Sequence, residues 1–136
     1  MTKKNLIILN IFFFLFSLVF SIYLLGFKYL NPTNSSWLFW GDLPLLQTGW
    51  NFFRNDEWRF PIFSNPNLGI YLNNNLIYSD AIPLFALFFK IFNFILPDNF
   101  QYFSLWFLFS LYLQGLISFL ILFKLTKSLN YLLIGS

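Results

Sequence analysis

Cysteine and histidine are both absent from the 136 residues, and acidic side chains number only five. Without thiol or imidazole, disulfide frameworks, zinc sites and nucleophilic catalysis by Cys or by a Ser–His couple are excluded. Any catalysis must rest on carboxylates, helped by Arg, Tyr, Trp or a cation held weakly through oxygen. Charge of either sign is scarce. Charged residues make up 10% of the chain against 58% hydrophobic residues, 22 of them Phe. So little charge on so much apolar surface excludes an ordinary soluble domain and points to lipid as the solvent. The formal charge of +3 does not indicate nucleic acid, because four of the eight basic residues (Lys3, Lys4, Lys124 and Lys127) flank long apolar stretches. There is no run of basic residues and no RNA-binding signature.

All five acidic residues, Asp42, Asp56, Glu57, Asp80 and Asp98, fall between two uncharged stretches at 5–25 and 101–123. At about 1.5 Å of rise per residue, each is long enough to cross a hydrocarbon core of about 30 Å. A cleavable signal peptide has an apolar region of only about 7–15 residues ending in small residues. Tyr23, Leu24, Leu25 and Phe27 offer no such end, so 5–25 is expected to stay as a span. The flanking lysines mark the cytoplasmic side, leaving the N-terminus cytoplasmic and 26–100 outside. After a turn near Ser128 and Asn130 the chain becomes apolar again at 131–136, the expected start of a third span. The sequence therefore reads as the N-terminal piece of a longer multi-pass protein whose downstream helices are its missing partners. Each span also carries a polar stripe: Asn10, Ser17 and Ser21 in the first, Ser110, Gln114 and Ser118 beside Gly115 in the second. Helix–helix packing explains such stripes, with a substrate path as the alternative.

The segment between the spans has structure signals of its own. A turn-rich opening at 31–36 contains Asn34-Ser35-Ser36, a match to the N-glycosylation pattern that is weak at three residues. Asp42 as N-cap and Pro44 in the first turn begin a helix at about 43–54. Asn-rich sequence at 55–75, with Pro61, Pro66 and Gly69, reads as irregular. Ser79-Asp80-Ala81-Ile82-Pro83 repeats the start signal, for a helix at about 81–96 closed by Pro97. That helix is short for a span and has only Lys90 and Asn93 as strongly polar side chains. It is expected to lie in the outer interface, with a re-entrant placement as the alternative. Trp37, Trp40, Trp50, Trp58 and Tyr102 suit the headgroup zone. The predicted fold is thus an all-α membrane protein, two transmembrane helices flanking a large outer loop with two membrane-parallel helices.

Candidate chemistry falls on few residues. Asp42 follows the first span closely, so its carboxylate is placed to take a proton from a hydroxyl acceptor or to help hold a divalent cation. Helix capping is the plainer account, because Asp before a Leu-Pro helix start is what a cap looks like. Asp80 has the same context and the same ambiguity. Arg54 and Arg59 flank Asp56-Glu57 beside Trp58, which fits either a solvated charge cluster or an anionic headgroup or phosphate held by arginine. Lys90, alone on an apolar helix, is expected to snorkel toward headgroups.

The order of these motifs resembles an uncharacterised family of bacterial polytopic membrane proteins. The resemblance rests on Gly41-Asp42, Gly49-Trp50-Asn51-Phe52-Phe53-Arg54, Trp58-Arg59-Phe60-Pro61 and Tyr78-Ser79-Asp80-Ala81-Ile82-Pro83-Leu84. That family in turn is similar in layout to the GT-C class of glycosyltransferases. The resemblance implies an enzyme of the bacterial inner membrane. It would take a sugar from a polyprenyl-phosphate carrier and pass it to a glycan or lipid acceptor outside the cytoplasm. It implies Asp42 as the essential acid after the first span and Asp80 as a second acid. The helices at 43–54 and 81–96 would be the two that lie along the membrane. The chain departs from the class in having about two spans where those enzymes have many, so activity of this piece alone is not expected. The rival reading is a non-enzymatic membrane protein, a lipid or glycan transporter or an assembly factor, or an inactive remnant.

Overall fold

The computed structural model describes residues 3–69 and 74–126; among them are four α-helices and no β-strand. These are α1 (Lys3–Leu25), α2 (Leu43–Asn55), α3 (Pro83–Ile91) and α4 (Phe103–Thr126), with short 3-10 turns between them. The apolar start expected at 131–136 lies outside the described residues. The chain divides into two units: one of α1 with α4 from Leu105 onward, the other Lys28–Ser104.

In the first unit, Lys4–Leu25 and Phe103–Leu125 are long and apolar enough to cross a membrane. Gly26 ends α1 in the left-handed region (φ +79°), its N–H donating to Ile22 O at 2.8 Å. Glycine is favoured there because it has no Cβ to clash. Most side chains of α1 are exposed, among them Ile8, Phe16 and Val19, and those of α4 are mainly half-buried, with Ile117 and Ile121 exposed. The helices come close where the Phe13 ring lies over Gly115 and edge-on to Phe119 at 5.8 Å. Two of the three polar residues on the α1 stripe are satisfied, while Ser21 Oγ is buried with no hydrogen-bond partner among the described residues. Ser17 Oγ donates to Phe13 O at 2.7 Å and Asn10 Nδ2 to Leu6 O at 2.8 Å, while Asn10 Oδ1 accepts from the Tyr112 hydroxyl.

The second unit has an aromatic core of its own, built from Leu38, Trp50, Phe53, Leu76, Phe100, Tyr102 and Phe103. Trp50 and Tyr102, expected as headgroup rings, are instead fully buried here. Each has a polar tip that a neighbouring carbonyl satisfies, which makes burial affordable for rings of this kind. Trp50 Nε1 donates to Phe100 O at 2.9 Å, the Tyr102 hydroxyl donates to Ala81 O, and the two rings sit edge-on at 5.0 Å. Trp40, by contrast, is 77% exposed. The segment joining α2 to α3 is irregular. It is tied down by Leu76 N–H to Phe63 O (2.9 Å) and by Asn65, whose Nδ2 donates to Gly49 O at 3.0 Å.

The second helix of this unit is shorter than the expected 81–96. Asp80 (φ +52°) and Ile82 (φ +48°) both occupy the left-handed region, so the chain is still turning and α3 begins only at Pro83. At its other end Phe92 N–H donates to Phe89 O at 3.1 Å, an i to i−3 bond that tightens the helix into the 3-10 turn Asn93–Ile95. Outward from α3 and this turn point Leu84, Phe88, Ile91, Phe92, Phe94 and Ile95, an apolar row at helical spacing.

Candidate functional site

The two carboxylates singled out from the sequence are both exposed, and neither hydrogen bonds nor pairs with any described residue. For Asp42 the reason is local. It occupies the N-cap position of α2, but in the right-handed helical region (φ −88°, ψ −5°), not the extended region where a cap's oxygen reaches the helix N–H groups. The second helical residue is Pro44, which has no N–H to offer, and the N–H of Leu45 is taken by Asp42's own carbonyl at 3.2 Å. The carboxylate is left to solvent and to whatever approaches it. Asp80 is not the N-cap of α3. It closes the 3-10 turn Leu76–Ser79, its N–H donating to Ile77 O at 3.3 Å.

Their separation follows from how α2 packs. A Cβ placed on Gly49 would come within 2.0 Å of Ser79 Oγ and 3.5 Å of Ala81 Cβ, so the turn bearing Asp80 lies directly on Gly49. Asp42 is seven residues earlier on the same helix, about 10 Å along the axis at ~1.5 Å per residue. Among the described residues no three acidic side chains cluster as ligands for a cation.

The basic and aromatic residues gather at the other end of α2. Arg54 turns inward. Its Nε donates to Asn93 Oδ1 at 2.8 Å, and Nη1 donates to Pro97 O at 3.0 Å and Asp98 O at 2.9 Å. The guanidinium also lies 5.4 Å from the centre of the Trp50 ring. Burial lowers its pKa from the usual arginine value, with Asp98 opposing the shift. Arg54 thus ties the end of α2 to the loop that follows α3. Arg59 faces outward and grips Asp56, with Nε at 3.2 Å from Oδ2 and Nη2 at 3.2 Å from Oδ1; Glu57 Oε2 stands 3.8 Å away. Burial alone would raise the Asp56 pKa, but the bonds from Arg59 and from Glu57 N–H, with the charges of Arg59 and Lys90, outweigh it and hold it low.

Lys90 does not snorkel outward. It is buried, with Nζ 4.2 Å from the Phe53 ring centre and 4.9 Å from that of Trp58, donating to Glu57 O at 3.3 Å. Two aromatic faces and a carbonyl replace the water a surface ammonium would have. Burial depresses its pKa, the charge of Asp56 raises it and that of Arg59 adds to the depression. The sequence signal for this clasp was present, a lone cation on an apolar helix, but the direction was not. An inward partner required Phe53 and Trp58 to lie opposite α3, which spacing alone does not reveal. Asn74 and Asn75, which stand with Trp58 and Arg59 around an open cleft of about 760 Å³, were likewise hidden in the Asn-rich stretch.

A family model matches residues 14–136, which takes in Asp42, Arg54, Trp58, Arg59, Asp80 and Lys90. The chain belongs to the family described as Domain of unknown function (DUF6311). No curated protein and no solved structure matches it. The match covers α4, α1 from Phe14 onward and the whole of the Lys28–Ser104 unit.

Proposed function

We propose that this chain forms part of a GT-C-like integral membrane glycosyltransferase, acting outside the cytoplasm on a lipid-linked sugar donor. The observation that carries the proposal is the free carboxylate of Asp42. It stands at a helix start, exposed and without a partner among the described residues, where a cap would ordinarily be occupied. A carboxylate so placed is available to an acceptor hydroxyl, as a base or through hydrogen bonding. The apolar row on α3 and the turn after it supports a placement along the outer leaflet, since Phe88 and Phe94 are 55% and 83% exposed. Trp58 and Arg59 border an open cleft, with Arg54 and Lys90 holding the framework behind them. Asp80 is the second acid, brought to α2 by the contact at Gly49.

The test is Asp42→Asn in the full-length protein. Transfer from a polyprenyl-phosphate sugar should fall by about 10²- to 10⁴-fold while membrane insertion is unchanged. Wild-type transfer by the variant contradicts the proposal and favours a non-enzymatic lipid or glycan carrier.

A further inference from the structure

The Trp58 indole is held by Lys90 and still largely exposed. Lys90 Nζ stands 4.9 Å from its ring centre, while 56% of the residue is exposed and it lines the cleft. Ammonium on one face fixes the ring and leaves an aromatic surface facing open space. Around that surface stand Glu57, Arg59, Ser64, Asn74 and Asn75. Among the described residues, their hydrogen-bonding groups without a partner are of both kinds. Asn74 gives its Nδ2 to Leu68 O and keeps its carbonyl; Asn75 accepts from Ile77 N–H at 3.1 Å through Oδ1 and keeps its amide hydrogens. Glu57 is an exposed acceptor, and the Ser64 hydroxyl both donates and accepts.

The charges in this place balance. Arg59 is held by Asp56 and stands near Glu57, and Lys90 donates to Glu57 O and lies in the field of Asp56. Among the described residues no unmatched cation faces the cleft, so phosphate has no counter-charge there. A flat aromatic wall with mixed donors and acceptors fits a pyranose instead. Its C–H face stacks on the electron-rich ring, and its hydroxyls, each donor and acceptor at once, meet the amides and the carboxylate. The cleft's volume is within the range of about 300–1,000 Å³ usual for small-molecule sites.

We infer that the cleft beside Trp58 is a binding site for a neutral sugar, with Trp58 as its stacking platform and Lys90 as the residue that positions the ring. Neither Asp42 nor Asp80 lines it, so the site stands apart from the transfer proposal and is read by binding alone. The experiment uses the full chain in nanodiscs, free of sugar-headed detergent. Methyl glycosides of glucose, galactose, mannose and N-acetylglucosamine are titrated, with inorganic phosphate in parallel, and followed by saturation-transfer NMR and tryptophan fluorescence. At least one glycoside should bind saturably. Trp58→Ala should weaken it by about tenfold or more. Trp58→Phe, which keeps a ring against Lys90, should retain part of the affinity, and Trp40→Ala should leave it unchanged. Silence of every glycoside overturns the inference, as does binding that both Trp58 variants leave intact, or saturable phosphate binding in place of sugar.

Discussion

At the residue scale, the side chains divide by what satisfies them. Asp42 and Asp80 are left to solvent, whereas Arg54 and Lys90, whose sequence contexts suggested headgroups or phosphate, are turned inward. Acidic residues near helix starts were legible because Pro, Asp and the following apolar residues form a local pattern. The inward turn of the cations was not, because it depends on carbonyls of Pro97 and Asp98 and on rings brought close only by the fold. Arg54→Met keeps the stem and deletes the donors. It should destabilise the protein by about 2 kcal/mol, the Pro97 and Asp98 carbonyls recovering some hydration. Arg54→Lys should recover little, since an ammonium cannot reproduce the fork. Thermal unfolding in matched micelles measures both.

At the scale of elements, the two long helices could be anticipated from uninterrupted apolar runs, and α2 begins where Asp42-Leu43-Pro44 suggested. The start of α3 was misjudged by the same kind of signal. Ser79-Asp80-Ala81 resembles a cap, yet Ser79 is buried against Gly49 and two left-handed residues follow before Pro83. A local motif cannot report a close approach made by a distant helix. The crossing of α1 and α4 includes one such approach. A side chain at Gly115 would meet Phe13 Cδ1 at 2.7 Å already at its Cβ. Gly115→Leu should separate the helices at a cost of about 1–3 kcal/mol. Because the chain has no native cysteine, cysteines placed at Asn10 and Tyr112 can be joined by a short bis-maleimide. Joining should be efficient with Gly115 and fall to background with Leu; equal joining refutes the crossing.

At the scale of the whole molecule, the all-helical character and the two span-length helices were written in composition and charge placement. The compact Lys28–Ser104 unit was foreshadowed only in part. Its core uses the aromatic residues that composition alone assigned to the membrane surface, and nothing in the spacing distinguishes a ring packed on Phe100 from one packed on lipid. The proposed function depends on this unit facing away from the cytoplasm. Single cysteines at exposed Asn67 and Asn99, compared with one at Lys4, test this directly in intact cells with a membrane-impermeant maleimide. Labelling at Asn67 and Asn99 with protection at Lys4 is the predicted result, and labelling of Lys4 with protection of the other two contradicts the account.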